Sequence, residues 1–154
     1  MSDTTPRHAR EEVLSVEIAA PPASVWAALT VPAALRAWMA DEGAPLDIEL
    51  EAVLGGRAVF RSHHAGPIEA RGVVTALEPE RRLAYTHRAD ISGLPDRPES
   101  YATLDFSLAR VPGGTRLTLQ LGGFATESIE KHLVFYWRTT LEVLRRWVER
   151  GAGA

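Results

Sequence analysis

The last long stretch of the chain, Thr126 to Arg150, leaves little choice of secondary structure. Nine of its residues recur at three- and four-residue steps, which places them on one broad face of an α-helix. They are Ile129, Leu133, Tyr136, Trp137, Thr140, Leu141, Leu144, Trp147 and Val148. A helix of about 24 residues is roughly 36 Å long, enough to cross a small domain. A face this wide must be covered by a large apolar surface.

The ends of this predicted helix carry their own signals. Thr126 is a residue type that caps helix starts, and Glu127 and Glu130 suit the positive end of the helix dipole. Gly151 is a residue type that ends helices. We therefore predict a helix that is capped by Thr126 and stopped at Gly151.

The chain before this helix reads mainly as strands. In seven segments apolar residues tend to recur at every second position, and turn residues separate the segments. The predicted strands are Glu12–Ile18, Leu46–Glu51, Arg57–His64, Ile68–Glu78, Arg82–Ala89, Ala102–Ala109 and Thr115–Leu121. Pro22 and Pro32 are placed to open two short helices after the first strand, and Asp41 to Gly43 to end the second.

Short connections between the strands favour antiparallel pairing, because parallel neighbours need crossovers of a dozen residues or more. The first strand is expected at an edge, and the other six form a meander. The predicted fold class is α+β, with a curved antiparallel sheet wrapped around the long C-terminal helix. The assignment of strand residues to an inward or an outward face relies on an unbroken two-residue period. A bulge near Gly72 or Leu77 would therefore reverse the assignment for part of the strand.

Composition limits the classes of function. The chain of 154 residues suits one domain, predicted over residues 11–150 behind a flexible leader at 1–10. A net charge of −3 gives no indication of a nucleic-acid partner. The absence of cysteine excludes disulfides and thiolate metal sites, and no apolar run is long enough to span a membrane. With no secretory signal in the first residues, we expect a cytoplasmic protein that does not bind membranes.

Four segments of the chain follow a recognisable pattern, together with an aromatic terminal helix around Trp137. They are IAAPPASVWAALTVPAALRAWM (18–39), LGGRAVF (54–60), GVVTALEPERRLAYTH (72–87) and GGTRLTLQLGGF (113–124). In this order and spacing they resemble the START-like, or Bet v 1-like (SRPBCC), helix-grip superfamily, and within it the group of activator of Hsp90 ATPase homologues, over nearly the whole chain. The resemblance implies a cavity between the curved sheet and the terminal helix.

The chain departs from the family pattern at two places. Leu121 and Gly122 stand where the family often has a histidine and then a serine, and Tyr136-Trp137 stands where it often has Gly-Trp. A glycine beside that tryptophan would leave space under the helix. Tyr136 is therefore expected either to narrow the cavity or to place a hydroxyl in it.

The predicted ligand-binding residues are those that the strand and helix periods place on the inward faces. His64, Tyr85, His87 and Tyr136 would supply directional polar contacts, although the interpretation we prefer for each histidine is a polar residue at the cavity mouth, satisfied by water or backbone. The full set is Trp38, Phe60, His64, Val74, Tyr85, His87, Phe106, Leu119, Leu133, Tyr136, Trp137 and Thr140. The loop from Asp90 to Ser100 is long for a hairpin, so it is either a lid or a passive surface excursion.

No motif indicates a metal, a cofactor or a known catalytic constellation. His63 and His64 are adjacent on a strand, so they point to opposite faces and cannot easily bind one metal. We expect no metal site and no cofactor. An acidic row of Asp47, Glu49 and Glu51 is interpreted as a solvated face, with a charged partner surface as the alternative.

These features favour binding of a small, largely apolar molecule in the cavity. One alternative is a cyclase or aromatase-like enzyme, in which cavity tyrosines and histidines would move protons. Another is a co-chaperone type of protein-interaction domain, which the family name suggests. The sequence leaves open whether the domain forms a homodimer.

Overall fold

The structure is a computed structural model that describes residues 11–39, 46–63 and 67–152. The predicted leader at residues 1–10 and the predicted end of the second helix at Asp41 to Gly43 lie outside the described residues. His64, one of the predicted site residues, also lies outside them.

In the described part of the chain, seven strands and three helices follow one another in the predicted order, and two 3₁₀ turns, Asp90–Ser92 and Pro98–Ser100, lie between the fifth and sixth strands. The strands are β1 (Glu12–Ile18), β2 (Leu46–Leu50), β3 (Arg57–His63), β4 (Pro67–Glu78), β5 (Arg82–Ala89), β6 (Ala102–Val111) and β7 (Gly114–Gly122). The helices are α1 (Pro22–Thr30), α2 (Pro32–Met39) and α3 (Glu127–Ala152).

The strands form one antiparallel sheet in the order β1-β7-β6-β5-β4-β3-β2. Strands β2 to β7 are the predicted meander, and β1 pairs with β7 along its whole length, from Glu12 opposite Leu121 to Ile18 opposite Thr115. Strands β1 and β2 are therefore the edges of an open, curved sheet. The predicted α+β helix-grip fold, with α3 held against one face, is confirmed.

Alternation along the strands separates a packed face from a solvent face. Leu83, Leu117 and Leu119 are completely buried against the core, whereas Arg71 and Arg116 are exposed on the other side. The register between β4 and β5 shifts between Val74 and Ala76, between the two positions where a bulge was considered. The bulge adds local twist and so helps the sheet to curve.

Gly72, just before this bulge, allows two strands to approach each other closely. A Cβ atom at this position would lie 1.8 Å from the carbonyl oxygen of Thr86 on β5. The Thr86 hydroxyl accepts a hydrogen bond from the neighbouring Val73 N–H at 3.0 Å. The missing side chain at Gly72 is thus a requirement of the β4–β5 pairing.

Helix α3 begins as the sequence predicts but ends later. The Thr126 hydroxyl accepts a hydrogen bond from the Ile129 N–H at 3.1 Å, which is the geometry of an N-cap. The predicted stop at Gly151 is wrong, because the helix continues through Gly151 to Ala152. Nothing lies within 4 Å of a Cβ placed on Gly151 and no positive φ is found there, so this glycine simply occupies the exposed last turn.

The two short helices close one end of the core. Pro22 and Pro32 open them as predicted. Trp38 of α2 is buried, and its indole N–H donates a hydrogen bond to the Ala28 carbonyl oxygen of α1 at 2.9 Å. This bond fixes α2 against α1 and holds the Trp38 ring beneath α3.

The acidic row on β2 is matched by arginines of β3. Arg61 lies 2.7 Å from Glu49, 3.1 Å from Asp47 and 3.0 Å from Glu69. Arg71 and Arg61 together hold the pKa of Glu69 below its usual value. Much of the charge of the row is therefore balanced within the sheet. Among the described residues, no helix is both long and apolar enough to cross a lipid bilayer.

Candidate functional site

A pocket of about 690 Å³ lies between the sheet and the first half of α3. Strands β3, β4 and β5 form one wall, α3 forms the opposite wall, and the β5–β6 loop contributes to the rim. The lining residues are Met39, Leu46, Phe60, Ser62, Ile68, Ala70, Tyr85, His87, Arg88, Ala89, Ile91, Ser92, Ser100, Leu104, Ser128, Ile129, His132, Leu133, Tyr136 and Trp137. Most of them are apolar or aromatic.

Six aromatic rings are in contact with one another around this pocket. The Trp137 ring meets Phe106 edge-on at a centroid distance of 5.4 Å, and Phe106 lies 6.1 Å from Tyr85. Tyr85 stacks at 5.8 Å on Phe60. Trp38 and Tyr136 extend the cluster from Trp137, at 6.5 Å and 5.4 Å. Aromatic pairs at these distances add about 0.5–1.5 kcal/mol each beyond the area they bury, so these contacts stabilise the pocket wall.

Two of the polar groups that strand β5 brings to the pocket, Tyr85 and His87, are two residues apart and share a face. Burial, with a smaller effect of the neighbouring Tyr136, raises the pKa of Tyr85 above its usual value. Burial and the nearby His132 lower the pKa of His87 to about 4. At neutral pH both groups are uncharged, and each can donate a hydrogen bond.

The opposite wall comes from the first three turns of α3. Ile129, Leu133, Tyr136 and Trp137 line the pocket from this helix, and so does His132. Tyr136 is 38% exposed, with its ring at the rim, so it does not fill the space.

Eleven of the twelve predicted site residues lie in the described part of the chain, and His64 does not. Six of the twelve line the pocket, namely Phe60, Tyr85, His87, Leu133, Tyr136 and Trp137. Four others are buried in the core and do not line it, namely Val74, Phe106, Leu119 and Thr140. Trp38 lies behind Trp137 and also stays outside the lining. Inward periodicity therefore identified the correct face but did not separate the pocket surface from the core beneath it.

The sequence reasoning missed fourteen lining residues, of which seven lie on strands β2 to β6, three in the β5–β6 loop, three on α3 and one on α2. Ile91, Ser92 and Ser100 reach the pocket from the loop, and Ile91 is 71% exposed. His132 lies four residues before Tyr136, one helical turn away, which was the signal that could have found it. Within the described part of the chain, no group of three or more histidines or carboxylates could hold a metal ion.

A curved antiparallel sheet that grips a long C-terminal helix is the arrangement of the START-like, helix-grip superfamily. The profile of the activator of Hsp90 ATPase homolog 1-like proteins matches residues 19–149 of this chain. The chain therefore belongs to the activator of Hsp90 ATPase homolog 1-like family, as the resemblance predicted. A comparison with curated proteins finds no match.

Solved structures support the same assignment. Protein CV1439 from Chromobacterium violaceum is 26% identical, with a TM-score of 0.77, and the match covers 90% of this chain and 96% of that one. Protein ChR145 from Cytophaga hutchinsonii is also 26% identical, with a TM-score of 0.76 and coverage of 96% and 99%. The Aha1 dimer from Colwellia psychrerythraea shares the fold at 22% identity, with a TM-score of 0.72 and coverage of 91% and 96%.

Proposed function

We propose that this protein binds a small, largely apolar molecule in the pocket between the sheet and α3. The observation that supports the proposal is the pocket itself, about 690 Å³ in volume, with walls of aliphatic and aromatic side chains. Ligand sites typically have volumes of about 300–1,000 Å³, apolar linings and a few polar groups that orient the ligand. The volume and the lining both fall within this description.

The aromatic cluster gives the proposed ligand a flat apolar surface. Phe60, Tyr85 and Trp137 all line the pocket and touch other rings of the cluster. Each apolar square ångström that a ligand removes from water contributes about 25 cal/mol, before the cost of association is subtracted. A ligand of two or three fused rings would therefore bind in the micromolar range.

Native mass spectrometry of the purified protein tests whether a small molecule remains bound to it. The second measurement is a titration with the apolar dye N-phenyl-1-naphthylamine, in which we expect micromolar binding and quenching of Trp137 fluorescence. Ala70 is nearly buried and lines the pocket beside Phe60, its partner on β3. Ala70→Phe should fill part of the pocket and weaken the dye at least tenfold.

The matched control is Ala109→Phe, the same change at an exposed position of β6 away from the pocket. It should leave dye affinity unchanged. Circular dichroism confirms that both variants fold. If no molecule co-purifies and the dye fails to bind, or if folded Ala70→Phe binds it as wild type does, the pocket is not the binding site.

A further inference from the structure

Among the described residues, none of the polar groups that line the pocket is a carboxylate. They comprise four serines, two tyrosines, two histidines and one arginine. The whole chain, by contrast, carries 20 acidic residues against 17 basic ones. Among the described residues, the lining therefore offers hydrogen-bond donors in an apolar setting without a fixed negative charge.

His87 and His132 reach the pocket from opposite walls, one from β5 and the other from α3. They are close enough that His132, after burial, is the second cause of the lowered pKa of His87. The other titratable groups of the lining are Tyr85 and Arg88 on β5 and Tyr136 on α3. A negative group placed between the two imidazoles could accept a hydrogen bond from a ring N–H on each wall.

Arg88, which follows His87 on β5, is the one lining residue with a permanent positive charge among the described residues. One of its terminal nitrogens donates a hydrogen bond to the Leu94 carbonyl oxygen at 3.1 Å, and the guanidinium carbon lies 5.8 Å from the centre of the Tyr101 ring. Neither contact neutralises its charge. Its Nε is buried without a hydrogen-bond partner among the described residues. The local potential is thus favourable to an anion.

We propose that the ligand of this pocket is an amphipathic organic acid, with a ring-containing apolar body against the aromatic cluster and one anionic group between His87 and His132. The imidazole N–H groups donate hydrogen bonds to the anion, and Arg88 contributes positive potential. This inference rests on the proposed function, because it assumes that the pocket binds apolar molecules at all. It adds the chemical class that the polar lining selects.

A matched pair of dyes tests the anion site separately from the apolar pocket. 8-Anilino-1-naphthalenesulfonate and N-phenyl-1-naphthylamine share the same aromatic body, and only the first carries a sulfonate. His132→Leu removes one donor from an exposed helix position and should not prevent folding. A hydrogen bond to a charged group is worth enough that its loss should weaken the sulfonate dye about tenfold, while the neutral dye binds as before or more tightly.

The control is Lys131→Leu, which removes a neighbouring cation that lies outside the lining, with its side chain 75% exposed and paired with Glu127 at 3.4 Å. It should change neither affinity. His87→Leu provides a second variant on the other wall that cannot donate a hydrogen bond, and it should also weaken the sulfonate dye selectively.

Each outcome has a defined meaning. Selective weakening of the sulfonate dye by His132→Leu, but not by Lys131→Leu, supports the inference. If both dyes bind wild type and neither histidine variant changes their affinity ratio, the anion site is refuted and the apolar pocket stands. An equal loss in Lys131→Leu shows a general surface attraction and also refutes the site. If neither dye binds wild type, the proposed function itself fails.

Discussion

Leu144→Ala is the substitution that most directly tests how α3 packs on the sheet. Leu144 is completely buried, whereas Leu133, eleven residues earlier on the same helix, is 5% exposed and lines the pocket. The change to alanine removes three carbon atoms at either position. At about 0.8 kcal/mol for each buried methylene, the lost transfer free energy is about 2.4 kcal/mol in both cases.

The two positions differ in the void that the substitution leaves. Leu144 is enclosed by other core side chains, so its truncation leaves a new cavity of up to about 100 Å³. This cavity adds about 2 kcal/mol to the loss of stability, at roughly 24 cal/mol per Å³. At Leu133 the lost volume joins a pocket that already exists, and this second contribution is small. We expect Leu144→Ala to lower the free energy of unfolding by about 3–5 kcal/mol and Leu133→Ala by about 2–3 kcal/mol.

Urea denaturation followed by circular dichroism and tryptophan fluorescence measures both changes, provided that the slopes agree with the wild-type slope. Val143→Ala is the control, since Val143 is 43% exposed on the same helix and should change stability by no more than about 0.5 kcal/mol. Wild-type stability in both leucine variants would refute the packing of α3. A larger loss for Leu133→Ala than for Leu144→Ala would refute the distinction between pocket and core.

Three further predictions concern the turn, the buried histidine and the rim. Gly56→Val should impair folding more than binding, because a Cβ at Gly56 would lie 2.2 Å from the Glu51 carbonyl oxygen. Thermal melting measures the loss of stability, and a stable variant that loses ligand would contradict the prediction. The pKa of His87 is lowered from 6.5 to about 4, so only the unfolded chain takes up this proton between those values. The contribution of His87 to the free energy of unfolding should be fully present above pH 6.5 and fall by at most about 3 kcal/mol as the pH drops to 4. Urea denaturation at several pH values should show a weaker pH dependence of the unfolding free energy in His87→Gln. The same pH dependence in wild type and variant would argue against this role of His87. Tyr136→Gly should widen the rim and raise the affinity for a pyrene-sized dye relative to a naphthalene-sized one, and an unchanged ratio in a fluorescence titration would exclude this role for Tyr136.

The strands and helices were predictable because their signals are local. Alternation places Leu117 and Leu119 inward and Arg116 outward whatever the rest of the chain does, since successive side chains on a strand point to opposite faces. The start of α3 was equally local, because the Thr126 cap depends on a residue only three positions away. Such features need no knowledge of which strands become neighbours.

The composition of the pocket depends on contacts between distant segments, which a period cannot supply. Val74 and Phe106 share the inward face with Tyr85, but all three positions look alike in a pattern of alternation. Only the curvature of the sheet and the tilt of α3 decide which of them reaches the open space. Ile91 comes from a loop without a period, and its place at the rim follows from where β5 and β6 end. The sequence therefore predicted the strands and the helix that surround the pocket better than the individual residues that line it.

Helix α3 is anchored to the domain by its second half and lines the pocket with its first half. In its second half, Leu144 and Val148 are buried against the core, and the Glu149 carboxylate accepts a hydrogen bond from the Ala19 N–H at 2.9 Å. That bond ties the end of the helix to the connection after β1, 130 residues away in sequence. In its first half, Leu133 and Tyr136 face the pocket instead. Because the anchoring contacts lie in one half and the open space in the other, substitutions can alter the pocket without releasing the helix from the sheet.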